Sequence, residues 1–222
     1  MELNSITLID VRNAILVLQV ITAIVGSMYY KKYKFSFLKY FIFLLWYIVI
    51  NDFIALYYSL TINIYNALFF NIYQIISFTF YLVLFKKNIQ SLKLKKIVSY
   101  LILLYLISFV LCFFIDDFFK NHFSLSYIIG ALFVISSIIM FFSEILNSDK
   151  IIKMNKMLLF WISIGLFVSL LPDIPFDLMR KYYANSPSIP FIFASSYLLV
   201  FANNILLITG FIWCNEEQRD YL

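Results

Sequence analysis

The chain is nearly devoid of cysteine and histidine, with only Cys112, Cys214 and His122 in 222 residues. With so few nitrogen and sulfur ligands, no Cys/His metal site is expected. The two cysteines fall near opposite faces of the topology derived below. A disulfide needs Cα atoms within about 7 Å, so they are not expected to pair within one chain. His122 falls in a short outer connection, where a lone histidine reads as a solvated residue. Glycine and proline number four each, and the prolines (Pro172, Pro175, Pro187, Pro190) are confined to the last two apolar segments and the link between them. Charge is scarce as well, at 13% of residues against about 25% in soluble domains. A chain that is 64% hydrophobic, with a mean hydropathy of +0.92, has too little polar surface to face water. Lipid has to be its outer solvent.

Other absences exclude function classes. Strand-like alternation never persists, which argues against a β-barrel. No lysine occurs from Ile189 to Cys214, so a retinal Schiff base cannot form in the last segment. No HExxH spacing, Ser-His pairing or intramembrane histidine is present, and an enzyme acting on lipid would have to rely on Asp52 and Asp173 alone. The first residues lack a basic stretch and a small-residue cleavage site, so the first apolar segment is expected to be retained as a helix.

What the chain does have is aromatic residues, 26 Phe and 17 Tyr, and lysine in preference to arginine. An AT-rich, bacterial genome produces the same bias. The aromatics therefore read first as lipid-facing side chains, and no cofactor is expected.

A spanning helix needs ~20 mostly apolar residues. Seven such stretches occur, at about 7–30, 36–58, 64–85, 97–118, 124–146, 157–179 and 189–213. The expectation is one all-α domain over residues 1–222, a seven-helix transmembrane bundle with the bilayer as its first partner. Lysine and arginine set its direction. One side carries Lys31, Lys32, Lys34 and Lys39; a basic loop of Lys86, Lys87, Lys93, Lys95 and Lys96; then Lys150, Lys153, Lys156 and Arg219. The other carries only Arg12, Lys120, Arg180 and Lys181. Thirteen against four assigns the first side to the cytoplasm and, with seven spans, the N-terminus to the outside of the cytoplasmic membrane. Short basic loops at lipid headgroups also account for the net charge of +5 without nucleic acid.

Inside a span, ionisable and amide side chains carry the information, because the helix satisfies its own backbone. Asp52, beside Asn51, lies near the middle of the second span. Asn71 and Gln74 are a turn apart in the third, and Asn203 and Asn204 lie at the centre of the seventh. In the sixth span Trp161, Gly165, Ser169, Asp173 and Asp177 recur every four residues as one stripe, whose small members let another helix approach. Pro172 and Pro175 weaken its outer third. Gly130, Ser137 and Glu144, and Ser196, Asn203 and Gly210, form heptad stripes in the fifth and seventh. Asp52, Asn71, Gln74, Asp173 and Asn203 or Asn204 are thus expected to form a ligand-binding polar cluster in the outer half. The alternative is a set of interhelical hydrogen bonds that only fix packing.

The whole-chain pattern, with FWISIGLFVSLLPDIPF in the sixth span and NNILLITGFIWCNEEQ in the seventh, resembles small seven-helix proteins of Bacteroidota-type bacteria. Those are similar in turn to the seven-helix sensor regions of histidine kinases. The short loops and the polar cluster point to a sensory or signalling component that binds a small ligand or senses membrane state, and the resemblance implies that it acts on a separately encoded cytoplasmic partner such as a histidine kinase. It carries over no functional residue. A small-solute transporter is the alternative, since the topology and length also resemble the SWEET-type and PnuC-type carriers. The Pro-Gln pair of the first is missing, and three tryptophans are few for the aromatic clamp of the second.

Overall fold

Phenylalanine, tyrosine and β-branched residues are indifferent helix formers in water, yet in lipid the helix is the one open-ended way to satisfy every backbone donor and acceptor. In the computed structural model, which describes residues 5–62, 66–180 and 189–214, that requirement is met by α-helices, with no strand among the described residues. The long helices are α1 (Ser5–Met28), α3 (Lys39–Thr61), α4 (Ala67–Asn88), α5 (Leu92–Ile115), α6 (Ser124–Leu146), α7 (Leu158–Arg180) and α8 (Ile189–Trp213). A single-turn helix, α2 (Tyr30–Tyr33), links α1 to α3, and a 3-10 stretch (Asp149–Lys156) links α6 to α7. All seven long helices are apolar and long enough to cross a membrane. The protein is a multi-pass membrane protein.

The largest shift from the expected boundaries is at α5, which begins at Leu92 rather than near residue 97. Ser91 caps it, its hydroxyl accepting the Leu94 amide, while the Glu144 carboxylate of α6 accepts the Gln90 amide (2.9 and 3.0 Å) and the Ser91 amide (2.7 Å). A carboxylate is favoured there because the start of a helix leaves amides unpaired and carries the positive end of its dipole. The basic segment is therefore not a loop. Lys86 and Lys87 lie in the last turn of α4, and Lys93, Lys95 and Lys96 in the first turns of α5.

The packing order closes a ring in which α1 contacts α3, α3 contacts α4, α4 contacts α6, α6 contacts α7, α7 contacts α8 and α8 returns to α1. Helix α5 stands outside this ring, against α4 and α6. Glycines set the closest approaches. A Cβ on Gly130 would lie 2.3 Å from the Phe78 ring, and one on Gly210 would lie 2.6 Å from Trp161 Cβ. A Cβ on Gly165 would meet Asn203 Oδ1 at 2.3 Å. Helix α7 stays helical through Pro172 and Pro175, so the carbonyls of Val168 and Leu171 have no amide four residues on to accept.

The tightest packing is at the end of the ring that carries the basic connections. Tyr33, Phe41, Phe85, Ile89, Leu158 and Phe211 are all at most 2% exposed there. Tyr33, Phe211, Phe41, Phe80 and Phe37 form a continuous run of ring contacts with centroids 5.8–6.4 Å apart. The Lys32 ammonium donates to the Cys214 carbonyl just beyond the end of α8, where a cation is favoured by the helix dipole.

Candidate functional site

Towards the other end the ring does not pack shut. It encloses a cavity of about 390 Å³ lined by all six ring helices and by His122, with no contribution from α5. This volume is in the range of small-molecule sites. On α3 the lining runs from Phe41 to Ser59, about 27 Å at the helical rise per residue. The cavity is therefore long and narrow. It reaches Asn66 and His122, in the connections at the N-terminal end of the bundle, and stops below at the aromatic run, of which Phe41 is part.

Its two ends differ chemically. At the N-terminal end the Asp52 carboxylate accepts a hydrogen bond from Gln19 Nε2 at 3.0 Å, tying α3 to α1. The Asp173 carboxylate accepts from the Tyr127 hydroxyl and from Ser196 Oγ at 3.3 Å, tying α7 to α6 and α8. Asp177, 1% exposed, faces His122 Nε2 at 3.5 Å. Arg12 and Tyr73 complete this end. Among the described residues, three carboxylates thus share the region with one guanidinium and one imidazole. Deeper in, the wall is mainly apolar, with Phe41, Leu45, Phe78, Ile162, Leu166 and Leu207 and the single hydroxyl of Tyr81.

Several lining side chains hold unused hydrogen-bonding capacity. Gln74 is 1% exposed, and its amide oxygen makes no hydrogen bond. The same holds for Asn203 Oδ1, Gln19 Oε1, Arg12 Nε and His122 Nδ1. Buried polar atoms are ordinarily paired, because an unmade hydrogen bond costs ~1–3 kcal/mol. A group of them around one cavity marks a place where water or a ligand supplies the partners.

Asp52, Gln74, Asp173, Asn203 and Asn204 all line the cavity. Asn204 also accepts from Thr22 Oγ1 at 2.8 Å, joining α8 to α1. Asn51, 8% exposed, neighbours Asp52 without lining the cavity. Asn71 is elsewhere. Its Nδ2 donates to the Phe118 (3.0 Å) and Asn121 (2.9 Å) carbonyls, and its Oδ1 accepts the Phe123 amide (3.1 Å). It holds the connection between α5 and α6 above a small aromatic cluster of Phe109, Cys112 and Phe123. Sequence reasoning missed Arg12, Gln19, Tyr73, Tyr127 and Tyr197. Gln19 could have been found as the one amide in the middle of the first span; the tyrosines are hidden among seventeen. His122 corrects an expectation: it is 20% exposed and turned against the rings of Phe70 and Tyr127 rather than into solvent.

At the closed end, burial pushes the Cys214 thiol up to about 12 and holds the Tyr33 hydroxyl well above its ordinary value. Both stay protonated at neutral pH. Among the described residues no group of three His, Cys, Asp or Glu is placed to hold a metal ion. Protein-family models, curated proteins and solved structures were all compared with the chain, and none matches it.

Proposed function

We propose that this protein is a ligand-binding signalling component of the cytoplasmic membrane, with its N-terminus and the polar end of its cavity outside. The observation that carries the reading is the six-helix ring around a cavity, with unpaired polar atoms towards one end and an aromatic closure at the other. The basic helix ends at Lys86, Lys87, Lys93, Lys95 and Lys96 lie at the closed end, where a cytoplasmic partner such as a separately encoded histidine kinase would dock. A ligand held against α1, α3, α7 and α8 changes their relative positions, and the aromatic run couples that change to the far helix ends.

The experiment is native mass spectrometry of protein released from lipid nanodiscs after exposure to a small-molecule extract of the expressing cells. The expected result is a discrete adduct on the wild type that is lost in Asp52→Asn and in the cavity-filling Leu166→Trp, both still folded. A wild type without an adduct, or an adduct indifferent to both substitutions, overturns the reading. One feature favours the alternative of a small-solute transporter: the proline-interrupted stretch of α7 that carries Asp173 beside two unpaired backbone carbonyls. Proteoliposomes decide between the two. Time-dependent accumulation of the adduct compound inside vesicles would assign transport, and saturable binding without accumulation would assign sensing.

A further inference from the structure

The two ends of the cavity specify a chemistry for its occupant. Asp52 and Asp173 have only neutral partners among the described residues: Gln19 and Asn51 for the first, Tyr127 and Ser196 for the second. Neither forms an ion pair among them. A carboxylate at the centre of a spanning helix costs ~2.5–3.5 kcal/mol on insertion scales, a cost that a cation in the cavity offsets. Among the described residues, Arg12 is the guanidinium that lines this end of the cavity with Asp52 and Asp173.

The kind of cation follows from what surrounds the carboxylates. No three acidic, His or Cys side chains among the described residues converge as a metal site. The cavity there has aromatic walls instead, from Phe70, Tyr73, Tyr127 and Tyr197. Aromatic faces attract ammonium groups and retain them when desolvated. Gln74, 1% exposed, lines the cavity at this level with its amide beside the Tyr105 hydroxyl and its amide oxygen without a hydrogen bond, a second polar contact for the head. Below it the wall of Phe78, Leu45, Ile162, Leu207 and Phe41 is mostly hydrocarbon, with Tyr81 the polar-tipped side chain beside them, which suits an alkyl tail.

Resting on the ligand-binding reading above, we infer that the cavity takes an amphiphile with an ammonium head and an apolar tail, the head between Asp52 and Asp173 and the tail among Phe41, Leu45, Ile162 and Leu207.

The test is isothermal titration of the full-length protein in phosphatidylcholine nanodiscs, with empty discs subtracted. The probes are octyltrimethylammonium, octanol and octanoate. Octyltrimethylammonium is expected to bind saturably, roughly tenfold or more tightly than either comparator, as a desolvated cation–π and carboxylate contact provides. Asp52→Asn and Asp173→Asn should each weaken it by roughly tenfold while leaving octanol unchanged. Asp52→Glu, which keeps the charge, should retain binding, showing that charge rather than folding is read. Leu207→Trp should weaken all tailed probes, whereas tetramethylammonium alone should escape its effect. Octanol or octanoate binding as tightly as the ammonium probe overturns this inference and leaves the ligand-binding reading standing. Failure of every probe to bind also overturns it, and the ligand-binding reading is then judged by the native adduct alone.

Discussion

Asn71 and Gln74 are one turn apart on α4 and chemically alike, yet they do different things. Asn71 spends three hydrogen bonds on the connection at Phe118–Phe123, whereas Gln74 lines the cavity with its amide oxygen unpaired. Asn71→Ala leaves a buried Phe123 amide and two carbonyls to find other partners, and should lower stability by about 1–3 kcal/mol, read by thermal unfolding in nanodiscs. Cys214 supplies a pH-dependent prediction. Burial raises its thiol to about 12, so the folded state holds this proton more tightly than the unfolded state, whose ordinary value is 9.0. Its contribution to stability is complete below 9.0 and is lost as pH rises through about 12. Burial keeps the Cys214 thiol protonated at pH 8, and both cysteines are buried. Maleimide labelling should be negligible in the native protein and complete after denaturation; rapid native labelling would show that the closed end opens.

At the level of elements, the glycine contacts decide how closely helices approach and what a methyl group does at each. The Phe78 ring facing Gly130 is held on both sides by Tyr105 and Tyr127, with centroids 5.8 and 5.3 Å away, and cannot yield. Gly130→Ala should cost about 1–3 kcal/mol in thermal unfolding, the usual penalty of overpacking. Gly165 faces the far end of a side chain instead, Asn203 Oδ1. Gly165→Ala should cost much less in the same measurement, yet displace the Asn203 amide and alter ligand adducts seen by native mass spectrometry. The stripe containing Gly165, Ser169, Asp173 and Asp177 was legible in the sequence because a four-residue spacing keeps side chains on one helix face. Structure adds what the face meets: Asn203 at Gly165, and the cavity at the other three. Glu144, in a stripe on α6, turned out to serve the start of α5 through backbone amides, a partner that side-chain patterning does not reveal.

For the whole molecule, the proposed orientation predicts which ends of the helices a reagent can reach. With the native cysteines protected by burial, Lys120→Cys should react with an impermeant maleimide added to intact cells, and Lys87→Cys only after the membrane is permeabilised. The reverse pattern would invert the topology and place the polar end of the cavity inside. The number, length and apolar character of the helices were determined by the sequence alone, because spanning a bilayer is a local demand that each segment of about twenty residues meets by itself. The tertiary structure decided the rest. It left α5 outside the ring, assigned Asn71 to a connection and Gln74 to the cavity, turned His122 inward, and brought Gln19 to Asp52 and Tyr127 to Asp173. Those outcomes depend on the rotation of each helix about its own axis and on which neighbours it meets. They are set by packing between segments far apart in the chain, for which lipid-facing and cavity-facing residues of similar composition leave no local signal.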